Sequence, residues 1–232
     1  MPTLRERKKA EMRTRIADVA TGLFARRGFD RVTVEEIARV AGVSKQTVFN
    51  YFAQKEDLVF DRADEIEAQM VAALRDRGPG VSAVEAFRAF THAFWGRIAD
   101  LPGDRPQAGF FTLLHETPAL RMYGREMTAR GLERLTGVIA EEAEAAPGDL
   151  RPRALAAALM GVNSAVFDSA LPRLAAGEHP GAFLAALLER ADEAYDLLAA
   201  GPGDYPKVGR PARRASRAGS RTTSGARGRA AS

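Results

Sequence analysis

The sequence predicts an all-α protein with a small N-terminal helix-turn-helix domain followed by a larger helical domain. Apolar residues recur at intervals of three and four rather than two, and Ala, Leu, Glu and Arg are abundant throughout the chain. Two short helical segments meet at Gly42, which is the arrangement of a helix-turn-helix hairpin. With 232 residues, of which 46% are hydrophobic and 28% charged, the chain is long enough for two domains with a substantial core.

Capping residues and glycines delimit the N-terminal helices. Gly28 ends the first helix, and Thr33 with Glu36 has the spacing of a capping box, in which each side chain accepts from a free backbone amide. Gly42 ends the second helix and Ser44 caps the third. The predicted helices of this part span residues 7–27, 34–42, 44–52 and 55–77.

After the break at Gly78-Pro79-Gly80 the helical period resumes. An apolar stripe runs from Val84 to Ile98 and is interrupted at 101–104. Further helices are predicted at residues 106–117, 118–145, 150–175 and 180–200. Residues 201–232 are rich in Gly, Ser, Ala and Arg and poor in apolar residues, so we expect a disordered basic tail.

The charge is strongly segregated along the chain. Residues 1–55 carry a net charge of +6, residues 56–200 carry −9, and residues 201–232 carry +7. The basic N-terminal and C-terminal segments predict that these segments bind a polyanion. The acidic segment between them is expected to have a different function.

Composition and motifs also exclude several classes of protein. The chain has no cysteine, and its three histidines lie far apart in sequence, so neither a disulfide framework nor a metal site is expected. A secretory signal and a run of about 20 uncharged apolar residues are both absent from the sequence, which predicts a soluble cytoplasmic protein without a membrane span. No nucleophile elbow, phosphate loop or paired-carboxylate pattern occurs. We therefore expect no enzyme, no catalytic residues and no cofactor.

The segment from Thr33 to Phe52, TVEEIARVAGVSKQTVFNYF, has the pattern of a DNA-reading hairpin. Ala38 lies where the two helix axes cross closely, and Gly42 supplies a turn with positive φ. The apolar positions that close the hairpin core are Ile37, Ala41, Val43, Val48 and Tyr51. The third helix then turns Lys45, Gln46, Thr47 and Asn50 outward, and these donors and acceptors suit base edges and phosphates. The alternative from the residues alone is a helical hairpin with a polar outer face.

The chain from about Arg7 to Phe60 resembles the tetracycline-repressor (TetR) family of bacterial transcription regulators. The residues that carry the resemblance are LFARRGF at 23–29, TVEEIA at 33–38, AGVSKQTVFNYF at 41–52 and KEDL at 55–58, all in the family's order and spacing. The resemblance implies a DNA-binding regulator, more often a repressor than an activator.

The resemblance also implies roles for single residues in DNA binding. Thr33, Thr47 and Tyr51 correspond to phosphate anchors, as does Lys55, which is expected at the start of the fourth helix. The expected base readers are Lys45, Gln46 and Asn50, and the capping residue Ser44 before them is also expected to be a DNA-binding residue. The family often has Tyr where this chain has Phe49, so an apolar contact with a thymine methyl is expected there. Tyr51 has an alternative role, because its ring also belongs to the hairpin core.

Members of this family have their effector pocket and dimer interface in the second domain. The resemblance therefore divides the chain into a DNA-binding domain at 1–55, a connecting helix at 56–80, an effector-binding and dimerisation domain at 81–200, and the tail at 201–232. Aromatic and sulfur-containing residues are concentrated in the third part and suit a small apolar or aromatic effector. The candidate ligand-binding residues are Phe87, Phe94, Trp95, Phe111, His115, Met122, Tyr123 and Met127. For each of them the alternative is an ordinary place in the core.

Two further features have open interpretations. Asn163, Ser164 and Asp168 form a polar strip that suits an interface or a pocket equally. Two apolar stripes, with many alanines nearby, suit a homodimer that binds a palindromic DNA operator. These stripes are Leu155, Leu159, Val162 and Val166, and Phe183, Leu187, Ala191, Ala194 and Leu198.

The competing functions are an activator of the same fold and a sequence-tolerant architectural DNA-binding protein. The basic tail suggests the second of these, because it could add affinity for DNA without selectivity. The tail could equally be a solvated segment without a role in binding.

Overall fold

The computed structural model describes residues 3–100 and 105–201, and within these ranges all regular structure is helical. The long helices are α1 (Leu4–Arg27), α2 (Val34–Ala41), α3 (Lys45–Tyr51), α4 (Ala63–Arg75), α5 (Ala83–Ala99), α6 (Arg105–Glu116), α7 (Pro118–Glu142), α8 (Arg151–Ala175) and α9 (Leu184–Ala200). Short 3-10 turns precede α4 and α9, at Glu56–Leu58 and Pro180–Ala182. The predicted all-α class is confirmed.

Local capping signals place the ends of the first three helices. α1 begins three residues earlier than predicted, because Thr3 and Glu6 form a capping box there. The box predicted at Thr33 is only half formed. Thr33 Oγ1 accepts from the amide of Glu36 at 3.2 Å, but the Glu36 carboxylate forms an ion pair with Arg27 instead of returning to Thr33.

The fourth helix was wrongly predicted to begin at Lys55. The chain instead forms the 3-10 turn Glu56–Leu58, and α4 starts at Ala63. Arg13 of α1 binds within the interruption, since one of its guanidinium nitrogens donates to the carbonyl of Asp61 at 3.2 Å. A side chain of α1 thus holds a carbonyl that would accept a backbone hydrogen bond in a continuous helix.

The first three helices pack around a small core of their own. Ile16, Phe24, Ile37, Val48 and Phe52 are all nearly inaccessible to solvent. Burying these large apolar side chains is what holds helices as short as α2 and α3 in place, because helices of seven or eight residues are marginal alone. The hairpin therefore has a fixed orientation on α1.

The remaining helices form a second packed group, in which α8 lies against α6, α7 and α9. Trp95, Leu135, Leu159 and Tyr195 are almost completely buried in it. Contacts between α1 and α6 connect the two groups, with Gly109 close against Ala25. The described chain up to Ala200 is a single unit. The divisions at 55/56 and 80/81 stay predictions, and the predicted tail and the break at 101–104 lie outside the described residues.

The apolar stripes of α8 and α9 face the protomer's own core. Leu159, Val166, Phe183 and Ala191 are all buried within the single chain. The prediction that these stripes form a dimer interface is therefore wrong for its central residues. Periodicity identifies an apolar face, but it does not tell whether the same chain or a second copy covers that face.

One helix, α8, is long and apolar enough to cross a membrane by length and composition, with a mean hydropathy of 1.5. This differs from the expectation, from the sequence, of no apolar stretch long enough for a membrane span. Length and composition are weak evidence for a span. The buried side of α8 is used in packing against α6, α7 and α9.

Candidate DNA-binding surface and ligand cavity

The turn between α2 and α3 has the geometry that the sequence predicts. Gly42 is left-handed, with φ 68° and ψ 35°, and the amide of Val43 donates to the carbonyl of Ala38 at 2.9 Å. Ala38 itself is only 3% exposed, so a larger side chain there would separate the helices. The tight turn fixes the angle at which α3 leaves α2.

The outward face of α3 is a preorganised set of polar groups. Gln46 Nε2 donates to Asn50 Oδ1 at 3.1 Å, one helical turn further on. Ser44 Oγ accepts from the amide of Thr47 at 3.0 Å and lies 2.8 Å from the Thr47 hydroxyl. Lys45 forms an ion pair with Glu35 of α2, and this ammonium lowers the pKa of the Glu35 carboxyl. Lys45, Gln46 and Asn50 are exposed, as predicted for residues that reach a ligand.

Phe49 adds an exposed apolar group to this face. Its side chain is 41% exposed, and the Lys45 ammonium lies 5.8 Å from the centre of its ring. Val40 of α2 is also exposed. An exposed ring beside polar side chains suits contact with a thymine methyl group.

Tyr51 and Lys55 have structural partners as well. The ring of Tyr51 is half-buried against the core, and its carbonyl accepts from Arg13 at 2.5 Å. Lys55 Nζ donates to the carbonyl of Phe29 at 2.6 Å and lies over the rings of Phe24 and Phe29. Burial lowers the pKa of Lys55, while Asp30 and Glu56 act in the opposite direction. Lys55 precedes the 3-10 turn Glu56–Leu58 and not α4, so the predicted assistance from the N-terminus of the fourth α-helix is wrong.

The first turns of α1 form an exposed basic segment, which was not among the predicted site residues. Every residue from Thr3 to Glu11 is exposed, and four of them are cations: Arg5, Arg7, Lys8 and Lys9. The excess of positive charge in residues 1–55 was the only sequence signal for this segment.

A cavity of about 520 Å³ lies between α4, α5, α7 and α8, with an edge of α6. Its apolar lining includes Phe60, Ile66, Met70, Phe90, Phe94, Leu120, Met127, Met160 and Phe167. Charged side chains also line it, among them Asp64, Arg121, Arg125 and Arg130. A volume of this size and an apolar lining with a few polar groups are typical of small-molecule sites.

Only two of the eight candidate ligand-binding residues line this cavity, namely Phe94 and Met127. Phe87, Trp95 and Phe111 are core residues, which is the alternative that their helical spacing left open. Met122 is 57% exposed on the outer side of α7. His115 and Tyr123 do not line the cavity either. Aromatic residues at helical spacing indicate burial, and burial alone does not identify a cavity wall.

The polar strip of α8 does face the cavity. Asn163, Ser164 and Asp168 all line it, which favours the pocket over the interface for this strip. Asn163 Oδ1 is buried and has no hydrogen-bond partner among the described residues. A buried acceptor without a partner costs free energy, so a ligand or water that donates to the Asn163 side chain would stabilise the site.

Tyr123 connects α7 to the segment between α3 and α4. Its hydroxyl donates to Asp57 Oδ1, and its ring lies 5.4 Å from the ring of Phe60. Burial and then the Asp57 carboxylate raise the pKa of Tyr123. Asp57 and Phe60 were not predicted as site residues, because the sequence placed them in a helix beginning at Lys55 and their partner Tyr123 lies more than 60 residues further along the chain.

Comparisons with known proteins agree with this architecture. Residues 16–61 match the family described as "Bacterial regulatory proteins, tetR family", and residues 81–202 match the family described as "MftR C-terminal domain". The HTH-type transcriptional regulator TcmR of Streptomyces glaucescens is 30% identical over 170 residues, which cover 71% of this chain and 75% of TcmR. A protein of Mycobacterium tuberculosis named as a mycofactocin biosynthesis transcriptional regulator, MftR, is 29% identical over 66% of this chain and 76% of its own length.

Solved structures show the same fold. NalD of Pseudomonas aeruginosa, the secondary repressor of the MexAB-OprM multidrug efflux pump, matches with a TM-score of 0.52 and 22% identity, over 81% of this chain and 96% of NalD. A complex of SmeT with triclosan matches with a TM-score of 0.50 and 18% identity, over 79% of this chain and 91% of SmeT. The two family matches and the 30% identity to TcmR show that the chain belongs to the tetR family of DNA-binding transcriptional regulators and is not an enzyme.

Proposed function

We propose that this protein is a cytoplasmic, ligand-responsive repressor that binds a palindromic operator as a homodimer and is released by a small-molecule inducer. The observation that carries the proposal is the outward face of α3, where Lys45, Gln46 and Asn50 are exposed beside Phe49 on a helix fixed by its own core. One such hairpin contacts too few base pairs to be selective, which is why two copies on a palindrome are proposed.

Within this surface we propose two kinds of contact. Lys45, Gln46 and Asn50 read base edges, and Phe49 contacts a thymine methyl group. Ser44 lies at the start of α3 beside them. Phosphates are held by Thr33, Thr47, Tyr51 and Lys55. The hydrogen bond between Gln46 and Asn50 supports this division, because it holds the two side-chain amides together on the exposed face of α3 before DNA binds.

An operator selected from random duplexes with the full-length protein allows a direct test. Alanine at Gln46 or Asn50 should cost ~1–3 kcal/mol on the selected operator and relax the preference at one base pair. Gln69→Ala on α4, which lies outside the hairpin, is the matched control and should leave binding unchanged. Nearly equal affinity of the wild type for random duplexes would favour an architectural DNA-binding protein instead.

Lys55 tests the phosphate contacts. Lys55→Ala should weaken binding to all sequences by a similar factor, because a phosphate contact carries no base information. Its ammonium also donates to the Phe29 carbonyl, so the free energy of unfolding should be measured alongside. A loss confined to one operator sequence would contradict the assignment.

The proposed inducer site is the cavity between α4, α5, α7 and α8. Its apolar lining suits an apolar or aromatic compound, and SmeT, which shares the fold, has been solved with triclosan. Trp95 gives a convenient signal, because its ring packs against the cavity residues Phe94 and Phe167 at 5.4 and 6.1 Å.

A compound that binds the cavity should change the Trp95 fluorescence and weaken operator binding together. A tenfold loss of operator affinity requires ~1.4 kcal/mol of coupling between the two sites. If no compound of a broad apolar and aromatic collection shifts both signals, the proposed inducer site is wrong.

A further inference from the structure

We propose that Tyr123 is a positioning residue, whose hydrogen bond to Asp57 couples occupation of the cavity to the position of the reading helix α3. Tyr123 does not line the cavity, but it contacts a residue that does. The inference rests on the proposed function, in which a cavity occupant weakens DNA binding, and names the residues that transmit the effect.

The cavity side of this connection is Phe60. Its side chain lines the cavity, and its ring packs against the ring of Tyr123 with a centroid distance of 5.4 Å. The α-carbon of Gly124 faces the same ring, since a β-carbon placed there would lie 3.8 Å from Phe60 Cζ. An occupant at this end of the cavity contacts Phe60, and one larger than the free space there displaces it.

The other side of the connection reaches α3 through two contacts. Asp57 Oδ2 accepts from the amide of Gln54, three residues after the end of α3, while Oδ1 accepts from Tyr123. Arg13 donates to the carbonyl of Asp61 and also to the carbonyl of Tyr51 at the end of α3. The segment 57–61 is therefore held to α7 by Tyr123 and to the hairpin by Arg13.

Because Asp57 is a carboxylate, its hydrogen bond with Tyr123 favours one relative position of α7 and the segment 57–61. A hydrogen bond to a carboxylate is stronger than one between neutral groups and depends on distance and angle. Displacing Phe60 moves the chain between Asp57 and Asp61, so the Tyr123 bond must either break or move with the segment. In both cases the displacement of this segment is passed on to Gln54, through its bond to Asp57, and to Tyr51 at the end of α3, through Arg13.

If the bond between Tyr123 and Asp57 only stabilises the fold, the variants should behave differently. In that case, loss of the Tyr123 hydroxyl lowers the free energy of unfolding but leaves the response to a filled cavity unchanged. The two roles are separated by a double-mutant cycle, because the cycle measures only the interaction between two changes.

A substitution at Gly124 can take the place of an unidentified ligand. Gly124→Leu puts a branched side chain in the cavity next to Phe60, whereas Gly124→Ala adds only a methyl group at ordinary contact distance. Gly137→Leu is the matched control on the same helix, because Gly137 is exposed and has no heavy atom of another group within 4 Å of an added β-carbon. All variants are made in the full chain, with Tyr123 and with Tyr123→Phe.

The measured quantity is the Kd for the selected operator, with thermal unfolding followed in parallel. Gly124→Leu should raise the Kd by at least about fivefold when Tyr123 is present, the lower end of typical coupling between sites. In the Tyr123→Phe background the same substitution should raise it by less than about twofold. Gly124→Ala and Gly137→Leu should stay close to the wild type in both backgrounds. Hydrogen exchange of the Gln54 amide should accelerate in Gly124→Leu.

If Gly124→Leu raises the operator Kd by the same factor with Tyr123 and with Tyr123→Phe, the proposed role of Tyr123 is wrong. It is also wrong if Gly124→Leu leaves the Kd unchanged when Tyr123 is present. Both results leave the proposed function intact, because the wild type still binds its operator. A wild-type protein that selects no operator from random duplexes overturns the proposed function and this inference together.

Discussion

Gly42 is the residue on which the geometry of the DNA-reading hairpin depends most directly. Its φ of 68° lies in the left-handed region, and an added β-carbon would have no neighbour within 4 Å. Any effect of a side chain at this position is therefore an effect of backbone conformation and not of crowding. Gly137 on α7 offers a contrast, since it is equally open but lies within a helix.

Substituting alanine at these two glycines should have effects of opposite sign. Gly42→Ala should lower the free energy of unfolding by ~1–2 kcal/mol, because a left-handed conformation is costly for a residue with a β-carbon. Gly137→Ala should raise it by ~0.5–1 kcal/mol, because alanine favours the helix interior. Urea unfolding of both variants measures the two changes. An increase for Gly42→Ala would show that the turn relaxes to another conformation.

At the scale of the element, α5 and α9 are joined by a polar cluster inside an apolar contact. The hydroxyls of Thr91 and Tyr195 lie 2.7 Å apart, and Tyr195 is completely buried. Beside them His92 Nε2 lies 2.8 Å from Asp192 Oδ1. Burial is the main cause that raises the pKa of Tyr195 to about 12, while Thr91 and Arg88 act in the opposite direction.

This pKa predicts a loss of stability in alkaline solution. The unfolded chain releases the tyrosine proton near pH 10, and the folded chain keeps it until about pH 12. The contribution of neutral, buried Tyr195 to the free energy of unfolding is therefore fully present below pH 10. It is lost as the pH rises through 12, by at most ~1.4 kcal/mol per pH unit. Urea unfolding at pH 9 to 11 should show a steeper decline for the wild type than for Tyr195→Phe. Parallel declines would contradict this account.

Local signals predicted α2 and α3, but not α4. Thr33, Gly42 and Ser44 act within one helical turn, so their effects can be read from neighbouring residues. The segment before α4 instead contacts Arg13, which lies 48 residues before its partner Asp61, and neighbouring residues give no signal for such a contact. The cavity lining was missed for the same reason. The spacing that brings Phe94 to the cavity also brings Phe87 to the core, and only the packing of four helices separates them.

At the scale of the whole molecule, the proposed dimer needs a surface that the chain itself leaves uncovered. α8 has one, because Ala157, Gly161 and Ala165 lie on an exposed face of small residues opposite its buried side. Small residues allow two helices to approach closely. We propose this face for the dimer interface, in place of the buried stripes that the sequence suggested.

Gly161 gives a clean test of this surface. An added β-carbon there has no neighbour within 4 Å, so Gly161→Arg should leave the folded protomer intact. In a dimer packed through α8 the arginine would be forced into the interface. Light scattering should then show a monomer for Gly161→Arg and a dimer for the wild type and for Gly137→Arg. Weaker operator binding should accompany the monomer, and a dimer in all three proteins would exclude this face.

The exposed beginning of α1 has a consequence for how the protein responds to salt. Nine residues from Thr3 to Glu11 are exposed, and Arg5 repels Lys8 and Lys9 at spacings of three and four. These cations also lie at the helix end where the backbone dipole favours anions. Added salt screens both effects, so the helix end should gain order and the ellipticity at 222 nm should become more negative. With Arg5→Gln and Lys9→Gln in place, the signal should depend less on salt. The N-terminus of α1 would thus report the ionic strength of its surroundings through its degree of fraying.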